Sequence, residues 1–197
     1  SILIRFGNVF EQAYTRFLDL QKAEAQAREA EVELALERVR ARTMAMHKSE
    51  ELGETAYLLF QEMLGLGVQH ERFVIGILDE ENKQFDFWGT EQGGNQMNTQ
   101  FTGGIDEPTS LSKFYRAIKA KKKSVIVELT GKDLTSWIGY MKRTLEMPLN
   151  ASMVREKRIH SCGVFSNGVL ILTNPEHLPA EHILLVERFA AVFDQTY

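Results

Sequence analysis

The chain has 197 residues, of which 25% are charged and 44% hydrophobic, with a formal net charge of −4. That balance describes a folded chain rather than a disordered one, and it lacks the strongly basic footprint that nucleic-acid recognition leaves. No apolar run approaches the roughly 20 residues of a membrane helix, no signal peptide is evident, and a lone Cys162 rules out an internal disulfide framework and points to a reducing, cytoplasmic compartment.

Helix breakers are unevenly placed. All four prolines fall at or after Pro108, and only Gly7 of the fourteen glycines precedes Gly53, so the 45 residues from Asn8 to Leu52 contain neither. No aromatic occurs between Phe17 and Tyr57, and 14 of the 33 residues from Asp19 to Glu51 are charged, which predicts a long solvated helix rather than a core. Phe6, Phe10, Tyr14 and Phe17 share one helical face. Leu20, Ala23, Ala27, Ala30, Leu34, Ala41 and Met44 continue at spacings of three and four, broken only at Glu37. Leu18, Ala25, Val32, Val39 and Met46 form a second stripe at every seventh residue. Such a seam, about 65 Å long at 1.5 Å per residue, needs a partner helix. A dimeric coiled coil is therefore expected, with Phe10, Phe17, Leu20, Ala27, Leu34, Val39 and Met46 at its interface. The two competing stripes offer alternative seams, and thus a means of switching.

After Gly53 the pattern is that of a mixed domain. Residues 55–64 read as a helix ending at Gly65-Leu66-Gly67. Residues 73–78 and 84–88 read as the two strands of a hairpin, followed by a Gly/Asn/Gln-rich loop at 92–98 and a strand around Phe101. Residues 110–123 predict a helix with Leu111, Phe114, Tyr115 and Ile118 inward, 124–129 a strand, and 132–146 another helix before Pro148. Residues 159–165 and 169–173 flank Asn167-Gly168, the strongest short hairpin signal, and Pro179 opens a final helix. Hairpins with helices inserted give an α+β domain with a mainly antiparallel central sheet flanked by helices, preceded by the long coiled-coil helix. The division expected is 1–52 for the helix and 53–197 for the domain.

The two ends echo each other. Arg188-Phe-Ala-Ala-Val-Phe-Asp-Gln-Thr-Tyr197 and Arg5-Phe-Gly-Asn-Val-Phe-Glu-Gln-Ala-Tyr14 are identical at six of ten positions. With Ser1 opening inside an apolar helical pattern, the expectation is a fragment of a tandem array, in which 1–17 is the closing helix of a preceding module. The connector Leu36-Glu-Arg-Val-Arg-Ala-Arg-Thr-Met-Ala-Met-His-Lys-Ser-Glu-Glu-Leu52 is similar to those of multi-module bacterial sensor histidine kinases, and the helix at 188–197 resembles the closing helix of their GAF-like units. The whole resembles a GAF-type sensor domain preceded by a signalling helix. The resemblance implies a non-catalytic intracellular module that dimerises through flanking helices and relays a signal to a covalently linked output domain such as a histidine kinase of a two-component system. It does not supply a ligand, because such folds bind many small molecules or none.

Candidate chemistry is sparse. His47 sits where a phosphoacceptor would, but Lys48 follows it rather than an acidic residue, and a solvated position is expected. Asn82-Lys-Gln-Phe-Asp86 resembles the signature of cyclic-nucleotide-binding GAF domains, compressed here into a turn where Asn and Lys are ordinary. Arg158-Ile-His-Ser-Cys162 resembles the chromophore run of bilin-binding GAF domains, yet it leads into a strand, and a buried thiol is the expected role of Cys162. His160 and Cys162 lack further ligands at metal spacing, so no metal and no cofactor is expected. Lys119–Lys123 is a dense basic run at a helix end, a solvated end by default and otherwise a patch for anionic partners. The remaining candidate is a pocket for an unidentified small molecule, built from Trp88, Phe101, Tyr115, Trp137 and Tyr140 with Cys162, residues that would equally serve as core.

Overall fold

The computed structural model describes residues 2–48, 51–91, 93–95, 100–144 and 156–197, with side chains from Gly7 onward. The chain divides into two compact units, 1–37 and 38–197. Among the described residues the first is helix and belongs to α1 (Ile2–Met44). Six of its apolar side chains, Val9, Phe10, Tyr14, Phe17, Leu20 and Leu34, are more than half exposed, whereas Val32, Ala35 and Leu36 are buried. Phe10 and Tyr14, one turn apart, stack with centroids 6.2 Å apart.

The second unit takes in the end of α1 and continues with α2 (Leu52–Gly65), β1 (Arg72–Asp79), β2 (Gln84–Gly89), β3 (Phe101–Gly104), α3 (Leu111–Lys119), β4 (Ser124–Thr130), α4 (Gly131–Arg143), β5 (Lys157–Phe165), β6 (Gly168–Asn174) and α5 (Ala180–Thr196). The unbroken helix expected to Leu52 ends instead at Met44, without glycine or proline. Tertiary contacts set the break. Arg38 and Arg42 pair with Glu62 and Glu51, and Thr55 Oγ1 donates to Met46 Sδ at 3.1 Å, folding the chain back so that α2 can reach the sheet. This compact unit begins at Arg38. The loop expected at 92–98 and the end of the helix expected at 132–146 lie partly outside the described residues.

The six strands form one sheet in the order β3-β2-β1-β6-β5-β4, with every pairing antiparallel. The α+β class expected from the hairpin pattern is the fold observed. Between β1 and β2, Asp79 accepts from the backbone and side-chain amides of Asn82 at 3.0 and 2.7 Å, and Lys83 takes the left-handed conformation at φ 54°. This is the ordinary turn chemistry expected of that segment. Antiparallel register puts directly opposed residues on the same face. One face carries Phe85, Phe87, Phe101, Val127, Leu129, Cys162, Val169 and Ile171 and is covered by α3 and α4 through Leu111, Phe114, Ile118, Leu134, Trp137 and Met141. The other carries Phe73, Ile75, Leu170, Leu172, Ile159 and Phe165. There α5 lies so close that a Cβ on Gly163 would meet the Val186 carbonyl oxygen at 2.6 Å, and Phe165 packs on Phe193 with centroids 5.0 Å apart.

No helix among the described residues is long and apolar enough to cross a membrane.

Candidate functional site

On the face covered by α3 and α4, a small cavity of about 40 Å³ lies between the sheet and these helices. Its polar lining comes from three adjacent central strands. Arg72 on β1 opposes Thr173 on β6, which opposes His160 on β5, and Arg158 lies two residues along β5 on the same face. Its apolar lining includes Leu111 and Phe114 from α3 and Trp137 and Met141 from α4. No carboxylate is among the described lining residues.

The position of α3 follows from Glu107. That buried side chain accepts from the Thr109, Ser110 and Leu111 backbone amides at 2.8, 2.8 and 2.9 Å, satisfying the helix's first N–H groups and opposing its dipole. Leu111 and Phe114 are thereby held over the sheet. In α4, Trp137 stacks on Tyr140, and Tyr140 Oη accepts from the Gly104 amide at 3.0 Å, tying that helix to β3.

Two buried arginines line this cavity, and charged side chains at such depth are held by compensating partners. Arg72 is 6% and Arg158 7% exposed. Burial, and then the neighbouring Arg158 charge, lowers Arg72 to about 10, while the carboxylates of Glu91 and Glu71 oppose the shift. Arg158 also donates from Nη1 to Met141 Sδ at 3.7 Å. His160 sits between aromatic rings, 5.4 Å from the Trp137 centroid and 6.0 Å from that of Phe114, with Nδ1 3.4 Å from Ser110 Oγ. Burial first, then Arg158, Arg72 and Lys113, lowers its pKa to about 3, so the imidazole is neutral at physiological pH. The Trp137 Nε1 is buried and has no hydrogen-bond acceptor among the described residues.

Of the aromatics expected to form a pocket, Trp137 lines this cavity. Phe101, Tyr115, Tyr140 and Cys162 belong to the surrounding apolar cluster without lining it, and burial raises the Cys162 thiol well above its ordinary pKa. Trp88 is a correction. Its register partner is Ile75, so it points to the opposite face, because a strand alternates its side chains and Phe87 takes the cavity side. Arg72, Arg158 and His160, absent from the expected pocket, supply its polar groups. Arg158-Ile159-His160 carries a signal, a polar side chain alternating with an apolar one inside a strand, whereas Arg72 is the first residue of β1 and carries none.

The other expectations are placed as follows. Phe10, Phe17, Leu20, Ala27 and Leu34 are exposed on α1, and Met46 is half-buried. Val39 is fully buried within its own chain and is not open to a partner helix. His47 is exposed but lies beyond the end of α1, in the link to α2, rather than on a helix. The basic run 119–123 borders an open groove of about 1000 Å³ against α5, shared with Glu80, Glu181, Glu187 and Asp194, so the surface carries both signs of charge. Lys119 pairs with Glu80 there and lies over the Tyr115 ring. Among the described residues, no group of three His, Cys, Asp or Glu side chains is placed to hold a metal ion.

No protein-family model matches the sequence, and no curated protein matches it. Among solved structures, the chain is similar to the GAF domain from an Acinetobacter phosphoenolpyruvate-protein phosphotransferase, at 12% identity and a TM-score of 0.47 over 82% of this chain and 89% of that one. It is also similar to the A. aeolicus nlh2 GAF domain in an inactive state, at 10% identity and a TM-score of 0.46 over 85% of this chain and 91% of that one.

Proposed function

We propose that the chain is a non-catalytic, GAF-like sensory module whose cavity binds a small molecule. Occupancy is relayed through the flanking helices α5 and α1 to a covalently linked output domain such as a histidine kinase. The observation that carries this reading is the double duty of β5. On one face the strand presents Arg158 and His160 to the cavity; on the other, Gly163 and Phe165 seat α5. A ligand that draws on the cavity side chains displaces the strand on which α5 rests. From α5 the connection continues to α1 through Thr196 and Thr43. Dimerisation places the exposed Phe10, Phe17, Leu20, Ala27 and Leu34 of α1 in a seam against a second copy. The chemistry lining the cavity favours binding over turnover: His160 is buried and neutral, and no carboxylate lies beside it among the described lining residues.

Cysteine cross-linking tests the relay. Single cysteines replace Leu20, Ala27 or Leu34 in a Cys162→Ala background, and disulfide formation is followed with and without a stabilising ligand found by thermal shift. The reading expects intermolecular cross-links whose relative yields change on ligand binding. Absence of cross-links at all three positions in a chain that light scattering shows to be monomeric overturns it.

A further inference from the structure

We propose a second binding site, apart from the cavity under α3 and α4: a cleft at the start of α5 that takes a primary carboxamide. Its NH2 group is held by His70 Nε2 and Asn174 Oδ1, and its carbonyl oxygen by His182 Nδ1.

The cleft, of about 500 Å³, is bounded by the segment before β1, the end of β6 and the first turn of α5. Each of these three contributes a lining residue with a buried polar atom that has no hydrogen-bond partner among the described residues: His70 Nε2, Asn174 Oδ1 and His182 Nδ1. The fold gathers them. Asn174 follows Leu172 by two residues and so lies on the face that α5 covers, and its Nδ2 donates to the Gln69 carbonyl at 3.0 Å, next in sequence to His70. The His70 ring sits 4.5 Å from the Phe60 centroid and 6.1 Å from that of Phe73.

Neighbours that can play only one part fix the roles. A carbonyl only accepts, so His70 Nδ1, 2.8 Å from the Val68 oxygen, carries the ring proton. Burial lowers the pKa of this imidazole and keeps it neutral, which leaves Nε2 a lone pair. By the same logic Asn174 turns its NH2 to Gln69 and leaves Oδ1 as an acceptor. Two buried acceptors without donors call for N–H or O–H groups, and one planar NH2 supplies two. His182 Nδ1, as the N–H tautomer, then serves the oxygen of the same amide. A water would supply the donors but leave the apolar walls of Pro175, Leu178 and Pro179 uncovered. Ionic attraction is not what holds the ligand, because Glu71 has partners, Glu176 pairs with Lys157 and His177 with Glu128. The three open atoms are shielded from water, so a ligand reaches them as the wall at 178–182 gives way. Occupancy thereby bears on the seat of α5.

The experiment is isothermal titration of the intact chain with benzamide, against N,N-dimethylbenzamide, which keeps the ring and carbonyl but has no N–H, and benzoate, which has acceptors only. Benzamide is expected to bind saturably at one site per chain, with both controls about tenfold weaker. In nitrogen NMR of the histidine-labelled chain, the resonance of the unprotonated His70 Nε2 is expected to shift with benzamide and not with its dimethyl form. His70→Phe keeps a ring between Phe60 and Phe73, loses the acceptor, and is expected to weaken benzamide about tenfold. Should circular dichroism show that variant unfolded, the resonance shift and the amide pair still decide. Equal binding of benzamide and its dimethyl form overturns the proposal, as does benzamide binding that leaves the His70 resonance unmoved, or no binding of benzamide at all. The sensory reading concerns the other cavity and is judged by its own cross-linking test.

Discussion

Thr43 Oγ1 on the last turn of α1 lies 2.6 Å from Thr196 Oγ1 on the last turn of α5, joining two helix ends 153 residues apart. Each hydroxyl has one proton to give. Thr43 Oγ1 is 3.0 Å from the Val39 carbonyl and Thr196 Oγ1 3.0 Å from the Val192 carbonyl, so one threonine donates across the pair while the other donates back into its own helix. The bond can therefore reverse its direction without breaking. Thr43→Val or Thr196→Val removes it at constant volume and is expected to destabilise the chain by about 1 kcal/mol in urea unfolding. A double-mutant cycle checks the pairing: the double variant should lose less than the sum of the two single losses. Full additivity refutes a direct bond.

His160 makes the fold sensitive to acid. Its pKa is lowered from an ordinary 6.5 to about 3 in the folded chain by burial and by Arg158, Arg72 and Lys113. Between those values the unfolded chain takes up a proton that the native chain refuses. Stability from this group is thus fully present above pH 6.5 and is lost as pH falls toward 3. The slope reaches about 1.4 kcal/mol per pH unit. Burial lowers His70 as well, so it adds to the slope in the same sense. His160→Gln should flatten the pH dependence of stability between pH 6.5 and 4.5 relative to the parent chain. Parallel curves would show that the imidazole is not held neutral.

Glu107→Ala removes the acceptor for the first amides of α3 and leaves buried donors behind. A loss of about 2 kcal/mol is expected from the cap and its charge. Because α3 carries Leu111 and Phe114 over the cavity, ligand affinity should fall with stability. Glu107→Gln keeps one acceptor oxygen and should recover part of both. A variant that loses stability with unchanged affinity would separate α3 from the cavity.

Gly163→Ala tests how closely α5 is seated. The added methyl meets a backbone oxygen at 2.6 Å and the Ala190 Cβ at 2.9 Å, neither of which can rotate away. Overpacking of this kind costs about 1–3 kcal/mol. The displacement is read in the accessibility of cysteines placed along α5, which should rise. A neutral substitution would mean that α5 shifts freely on the sheet.

The strands were readable in the sequence because hydrophobic alternation is local, and Asn167-Gly168 announces its own turn. The α+β class follows from those elements in order. The break at Met44 was not readable, since Arg38–Glu62 and Thr43–Thr196 are contacts between distant residues and no breaker marks the place. The cavity was half readable. Trp137 stood out as a large aromatic, whereas Arg72 was not singled out and Arg158 only within the Arg158–Cys162 run; the β1-β6-β5 register sets both on one covered face. Trp88 was decided by parity: Phe85 and Phe87 already take the cavity side of β2, which leaves Trp88 the other.

Strict two-residue alternation along β5 also governs which changes of length the chain can survive. Inserting one residue between Arg158 and Gly163 would exchange the two faces beyond it, turning arginine or imidazole toward α5 and an aliphatic side chain toward the cavity. The side chains that line the cavity can be exchanged in place, whereas the count of residues that carries them is fixed by the two faces. A change of length is therefore expected to be tolerated in the turns at either end of the strand and not within it.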